Sequence, residues 1–425
     1  MKLYNRPPKY TWKELCLRPQ LQTEFLEGRV QTILSRVKKS GDAALRELTR
    51  QYDKVDIQKI QVSDDEPMDA EQQLPDKLKQ AIRTAAQNIK TFHALQTREE
   101  QKTETTEGVT CWRKAVPIEK VGIYIPGGSA PLFSTVLMLG IPAQLAGCNE
   151  IILCTPPDQY GKINPAILFS AKEVGIKKIF KVGGAQAIAA MAYGTESIPQ
   201  VYKIVGPGNQ FVTKAKQLVT LEGTAIDLPA GPSEVLVLAD AYANAAYVAA
   251  DLLSQAEHGT DSQVILVTNE ETLIKKVVQE LETQVAKLPR KEIAIEALKN
   301  SRAIILSHPD TIGFINEYAP EHLIINTIDC DELVNKITNA GSVFVGSYSP
   351  ESGGDYASGT NHTLPTNGCA KSYSGVSLDS FVKYITFQKI TKTGIEKLGP
   401  TVVAMAEAEC LQAHAEAVKI RMTNP

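Results

Sequence analysis

Apolar residues recur along this chain with two different periods, and the change from one to the other marks its architecture. Between Gln22 and Leu95 the spacing is helical: Phe25, Val30, Ile33 and Val37 fall on one face, and a second run extends from Leu74 through Phe92. The acidic stretch 63–71 between them reads as a solvated loop. From Glu119 onward short apolar runs at 121–125, 151–154, 179–182 and 202–205 are each closed by a Gly or Pro turn and followed by a helical segment. Such runs between helices predict a parallel sheet buried on both faces. A Gly and Pro cluster at 228–232 punctuates the pattern. It resumes with 235–238, a helix to Gln255, 264–267, a helix to Ala286 and 303–306, so two βα blocks stand in tandem. The stretch 341–365 is rich in Gly, Ser, Thr and Pro and predicts a long functional loop. From Thr391 the tail returns to helix, with Ala404, Ala408, Leu411 and Ala415 on one side.

The 425 residues suffice for two or three domains. A net charge of −3 supplies no field for a nucleic acid backbone or an anionic membrane, which directs attention to a small-molecule partner. The most apolar stretch, 132–146, is broken by Gly140 and Pro142, and the N-terminus has no apolar core of signal-peptide length, so neither export nor a membrane span is expected. Seven scattered Cys without a CxxC pair suit a reducing cytoplasm.

Three places carry polar chemistry. Gln255 and His258 stand three apart at a helix end, where both side chains leave one face and can converge on an ion; a His near the negative end of a helix dipole is the plainer reading. Glu321 and His322 are an acid beside a base at the mouth of an apolar run, a pattern that also describes two solvated residues between a helix and a strand. The segment 353–366, which opens with two Gly, places Asp355 and His362 on a polar loop, which a flexible surface loop would equally explain. For an anion, residues 205–211 follow a strand and open a helix. The GxGxxG fingerprint is absent there, because Phe211 stands in place of its third Gly, and no P-loop occurs.

Seven segments occur in one order: Tyr-Ile-Pro-Gly-Gly from Tyr124, Gly-Gly-Ala-Gln-Ala-Ile-Ala-Ala from Gly183, Gly-Pro-Gly-Asn from Gly206, Ala-Gly-Pro-Ser-Glu from Ala230, Ser-Gln-Ala-Glu-His-Gly from Ser254, Ala-Pro-Glu-His-Leu from Ala319, and the loop 353–366. From about residue 25 to its end the chain thereby resembles the histidinol dehydrogenase family. The resemblance implies a zinc- and NAD-dependent enzyme of histidine biosynthesis that oxidises L-histidinol to L-histidine through the aldehyde, consuming two NAD in turn at one site. It implies Gln255, His258, Asp355 and His414 as ligands of one zinc ion per site, and Glu321 and His322 as proton-transfer residues. Ser233, His362 and Glu409 would line the substrate pocket with His322 and the metal ligands, and Tyr124, Gln186 and Asn209 would hold NAD. All of these residues are present.

The implied fold is α/β, with two Rossmann-like parallel-sheet domains and small terminal helical segments. An NAD-side domain would span 120–235, a larger domain 22–119 with 236–376, and the terminal pieces 1–21 and 377–425. His414 lies close to the C-terminus, and in the family this helix reaches a neighbouring subunit, which implies a homodimer with shared active sites.

The implied ligand set has nitrogen and oxygen donors, no thiolate, and open positions, as a catalytic zinc requires; by itself it would equally admit manganese or cobalt. Histidinol offers an imidazole and an amine as further donors, which would pin the reacting carbon. A rival route would trap the aldehyde on Cys148 or Cys154. Both lie in apolar context with no adjacent His or Lys, so packing is the expected role. Two other functions compete: a zinc metallohydrolase with Glu321 as base, and a binding protein that keeps the fold without the chemistry.

Overall fold

The computed structural model describes residues 1–19, 24–127, 131–228 and 231–423. Gln22, the side chain of Phe25, Gly128 and residues 229–230 of the expected motifs lie outside the described residues. The apolar runs form two parallel sheets. One has five strands in the order Lys178–Lys181, Glu150–Thr155, Lys120–Tyr124, Lys203–Val205, Ala225–Ile226. The other has six, in the order Lys2–Asn5, Arg302–Ile305, Gln263–Thr268, Glu234–Ala239, His322–Asn326, Ser342–Val345. Strand residues alternate between two helical layers, as the period of two requires. In the six-stranded sheet Val235 and Val237 face the helices Ala245–Ala256 and Glu271–Val285, while Leu236 and Leu238 face Trp12, Phe314 and Tyr318.

The packing departs from the expected domain limits. The helix Glu24–Tyr52 buries Val30, Leu34 and Val37 against Ile188, Met191 and Val212 on one face of the five-stranded sheet. The helix Asp76–Ala94 buries Ile82 and Ile89 against Leu137 and Met138 on the other. Residues 24–94 thus complete the unit assigned to 120–235, not the one containing 236–376. Periodicity gave these helices but not the sheet they cover.

Three further segments differ from expectation. The acidic stretch at 63–71 contains the helix Glu66–Gln73, started by Pro67 in its first turn and docked through the buried Ala70. The expected loop at 341–365 holds the strand Ser342–Val345 and the short helix Glu351–Tyr356. The N-terminal piece is an edge strand: Lys2–Asn5 pairs in parallel with Arg302–Ile305. An antiparallel sheet that the pattern did not announce joins Lys102–Thr106, Val109–Pro117 and Val382–Ile390. It carries the C-terminal helices Lys392–Ala408 and Gln412–Thr423, which pack on each other. Among the described residues no helix is long and apolar enough to cross a membrane.

Candidate active site

In the five-stranded sheet the strand order reverses between Lys120–Tyr124 and Lys203–Val205, and crevices at such switch points open outside the carboxyl ends of the strands. A cleft of about 620 Å³ lies there, lined by Tyr124, Gln186 and Asn209 with Asp53, Pro131 and Phe211. The structure therefore brings the three expected NAD residues together. The Tyr124 hydroxyl accepts the N–H of Gly184 at 3.0 Å. Asn209 caps the helix Gln210–Leu221, accepting from the N–H groups of Phe211 and Val212. Gly206 has φ +128°, and a side chain there would collide with the carbonyl oxygen of Tyr124. Only Gly keeps this turn against the neighbouring strand.

The second site sits at the opposite kind of edge, where the strands of the six-stranded sheet begin. Glu321 and His322 open the strand His322–Asn326, next to the strand opened by Glu234. The helix Ala245–Ala256 runs back along the sheet and delivers Gln255 to the same edge. The N–H of Glu234 donates to Glu321 Oε2 at 2.9 Å. The carbonyl oxygen of Glu234 lies 3.3 Å from His322 Nδ1, which fixes the proton on Nδ1 and leaves Nε2 as the basic nitrogen. That Nε2 faces Asp355 Oδ1 at 3.3 Å without hydrogen-bond alignment, and neither atom has another partner.

Glu351, from the same short helix as Asp355, accepts from Ser254 Oγ at 2.8 Å, while its Oε2 is buried and unpaired. Burial pushes Glu351 up to about 8, with the charges of Asp355 and Glu321 adding to it. Burial likewise works against charge on His322, but Glu321, Asp355 and Glu351 outweigh it and raise the imidazole well above its usual range. Burial also opposes charge on Asp355, yet His322, His362 and His258 hold it below the ordinary carboxylate value. With its amide turned so that the nitrogen donates to Glu351 at 3.0 Å, Gln255 accepts from the N–H of Glu234 at 3.2 Å.

Against this geometry the relatives are decisive. The Histidinol dehydrogenase family model matches residues 16–422. Histidinol dehydrogenase of Bacteroides thetaiotaomicron is 58% identical over 423 residues, covering 99% of each chain. That of Colwellia psychrerythraea is 52% identical, covering 97% of this chain and 98% of its own. The crystal structure of histidinol dehydrogenase from Elizabethkingia anophelis superposes with a TM-score of 0.97 at 57% identity, covering 100% of this chain and 98% of that one. The chain belongs to the histidinol dehydrogenase family. It is an oxidoreductase of histidine biosynthesis, and the comparisons decide for this reading over the metallohydrolase and the binding protein.

In this chain His362 takes a defined place between the two sheets' units. Its Nδ1 donates to the carbonyl oxygen of Asp355 at 2.7 Å, and its Nε2 meets Thr135 Oγ1 at 2.9 Å. Burial pushes it below the usual imidazole range. A neutral ring with its proton on Nδ1 satisfies both contacts. Ser233 adjoins Glu234 at the strand opening. His258 stands exposed just past the helix end.

Glu409 and His414 are exposed on the C-terminal helical hairpin. Among the described residues no three His, Cys, Asp or Glu side chains of one chain form a metal-ligand group, so His414 does not join His258 and Asp355 within a single copy. Cys154 is fully buried and its thiol is raised by burial, and burial pushes Cys148 up to about 11. Neither is an activated nucleophile.

Glu234, Glu351, Thr135 and Asp53 escaped the sequence reading. Glu234 closes the Ala-Gly-Pro-Ser-Glu segment, which offered a signal; Thr135 lies in an apolar helix that offers none.

Proposed function

We propose that the chain carries out the four-electron oxidation of L-histidinol to L-histidine through L-histidinaldehyde. In this reading zinc is held by Gln255, His258 and Asp355 together with His414 of a second copy, and NAD by Tyr124, Gln186 and Asn209. The observation that carries it is the acidic knot at the strand openings. His322 Nε2, Asp355 Oδ1 and Glu351 Oε2 are buried without hydrogen-bond partners. Three carboxyl groups surround one imidazole there, and among them Asp355 Oδ1, of the proposed ligand set, is an unpaired buried acceptor of the kind that fits a cation. The cleft at the switch point fits a dinucleotide.

Bound zinc would supply Lewis-acid anchoring of the substrate, and bound NAD the hydride acceptor for both oxidations. The chain's own part is proton movement. With the carboxylates that favour an imidazolium offset by a zinc cation beside Asp355, a neutral His322 takes the hydroxyl proton at Nε2 in the alcohol step. Glu321 takes a proton from the water that adds to the aldehyde, and His322 then takes the proton of the hydrate. The carbonyl of Glu234 holds the ring so that Nε2 points toward Asp355.

A homodimer with shared sites is part of the proposal, supported by the exposure of Glu409 and His414 on their hairpin. A cytoplasmic location is supported by the seven free cysteines. The test is stoichiometry on purified protein with L-histidinol, excess NAD and measured zinc content, beside a chelated control. Two NADH per histidinol with zinc bound is the expected result. One NADH with released aldehyde would remove Glu321 from its role, and none from a folded, zinc-loaded dimer would overturn the proposal.

A further inference from the structure

Arg18 lies outside every motif considered above, yet it is built into the back of the acidic knot. Its side chain is only 7% exposed and that of Glu234 is 1% exposed. Arg18 Nε and Nη2 both donate to Glu234 Oε2, at 2.9 and 2.6 Å. Two further guanidinium N–H groups are also used: Nη2 reaches the carbonyl oxygen of Tyr318 at 2.7 Å, and Nη1 that of Cys16 at 2.8 Å. The Arg18 guanidinium carbon stands 3.6 Å from the centre of the Tyr318 ring. On the far oxygen of Glu234, Oε1 accepts the N–H of Asn367. The segment that presents Arg18 is itself anchored, with Trp12 and Leu15 in the core and the carbonyl oxygen of Leu17 accepting from Gln263 and Arg302.

A buried arginine and glutamate in so many fixed contacts contribute little net stability compared with an apolar pair, because desolvation offsets most of their attraction. What the arrangement does is immobilise the backbone of one residue. Glu234 presents its N–H to the Glu321 carboxylate and its C=O to His322 Nδ1. A single residue thus sets the orientation of both groups that move protons, and the Arg18 clamp fixes that residue from behind.

We propose that Arg18 is a positioning residue for the oxidation, acting through Glu234 on Glu321 and His322. The inference rests on the proposed roles of those two groups. Small displacements of reacting groups cost rate far more than binding. Loss of the clamp therefore acts on turnover, most of all on the water-dependent aldehyde step.

The test uses the zinc-loaded full-length dimer with histidinol and, separately, histidinaldehyde as substrates. Arg18→Gln leaves Glu234 charged and unpaired, so the double variant Arg18→Met with Glu234→Gln removes the clamp without a stranded charge. Both should lose roughly 10- to 100-fold in kcat for aldehyde oxidation, with less loss for the alcohol and KM for histidinol within about threefold. Arg18→Lys, which restores the charge but not the fork, should recover part of the loss. A double variant that melts like the parent and keeps kcat for both steps within about twofold would overturn the proposal. So would equal losses in both steps accompanied by a raised KM. A crystal structure of the double variant separates this proposal from the reading beneath it. Displaced Glu321 with an equal loss of kcat in both steps at unchanged KM supports the positioning and refutes the assigned role of Glu321. Undisplaced Glu321 and His322 overturn the positioning whatever the kinetics.

Discussion

Thr135 and His362 meet across the boundary between the two parallel-sheet units, hydroxyl oxygen to Nε2 at 2.9 Å. Thr135 stands in the first turn of the helix Phe133–Ala146, which starts beside the cleft lined by Pro131, and His362 follows the helix that carries Asp355. Only the hydroxyl can donate, since His362 Nδ1 already gives its proton to the Asp355 carbonyl. Thr135→Val leaves the ring nitrogen unpaired in a largely dry position, at about 1–3 kcal/mol. KM for histidinol should rise roughly tenfold while Thr135→Ser stays near the parent, as initial-rate kinetics of the pair will show. An unchanged KM in the valine variant would detach His362 from substrate binding.

The Glu321 carboxylate and the His322 ring share the backbone of Glu234 but have separate duties in the proposed reaction. Replacing Glu321 by Gln keeps a group able to sit against the Glu234 N–H and removes the base. Aldehyde oxidation should fall by about 100-fold or more, and alcohol oxidation by no more than about tenfold. The two steps are measured by NADH formation from histidinaldehyde and from histidinol, and equal losses would sink the division of labour.

How much of this was legible in the sequence depends on how local the causes are. Strands at 150–155 and 263–268 were readable because burial on both faces makes them continuously apolar. The helix Ala245–Ala256 declared its own end, so Gln255 was placed correctly in its last turn. The partner of a helix is a different matter: residues 24–94 carry an apolar face whose destination, the five-stranded sheet, is fixed only by the folded packing of Val30 against Ile188 and of Ile89 against Met138. Arg18 and Glu234 are 216 positions apart, and no local pattern announces such a pairing. The helix holding Glu351 and Asp355 was hidden by its own two Gly, residues that weaken a helix, of which Gly354 lies where a Cβ would press on the Phe344 ring.

Gly206 tests the cleft independently of the acidic knot. Its φ of +128° and the clash of any Cβ with the Tyr124 carbonyl mean that Gly206→Ala must push the turn before Asn209 away from the strand. KM for NAD should rise by roughly tenfold or more and the melting temperature should fall by a few degrees, with KM for histidinol little changed. A variant with parental KM for NAD would remove NAD from this cleft.

The C-terminal hairpin tests the shared site. Ending the chain at Cys410 removes the helix Gln412–Thr423 and with it His414, while both parallel sheets keep their cores. The shortened chain should fold, bind less than about a tenth of the parent's zinc at equal free metal, and lose oxidation of histidinol. Atomic absorption on the dialysed protein gives the readout, and full zinc content would show that the ligand set is complete without the tail.

Asp53 offers a titration away from the acidic knot. It follows the helix Glu24–Tyr52 and lines the cleft, its Oδ2 has no partner, and burial pushes the carboxyl from the usual 3.8 up to about 6. Between those two values the folded chain keeps a proton that the unfolded chain has released. Stability therefore falls as pH rises through that window, and above it the buried charge is a constant cost. Asp53→Asn removes the ionisation. Its melting temperature relative to the parent should be near zero at the acid end of the window, climb through it and level off above. Discounted for the group's partial exposure, the gain is on the order of 1 kcal/mol, or roughly 1 °C. Thermal melts of both proteins across the window give the difference directly, and a flat difference would mean that the carboxyl is ionised throughout.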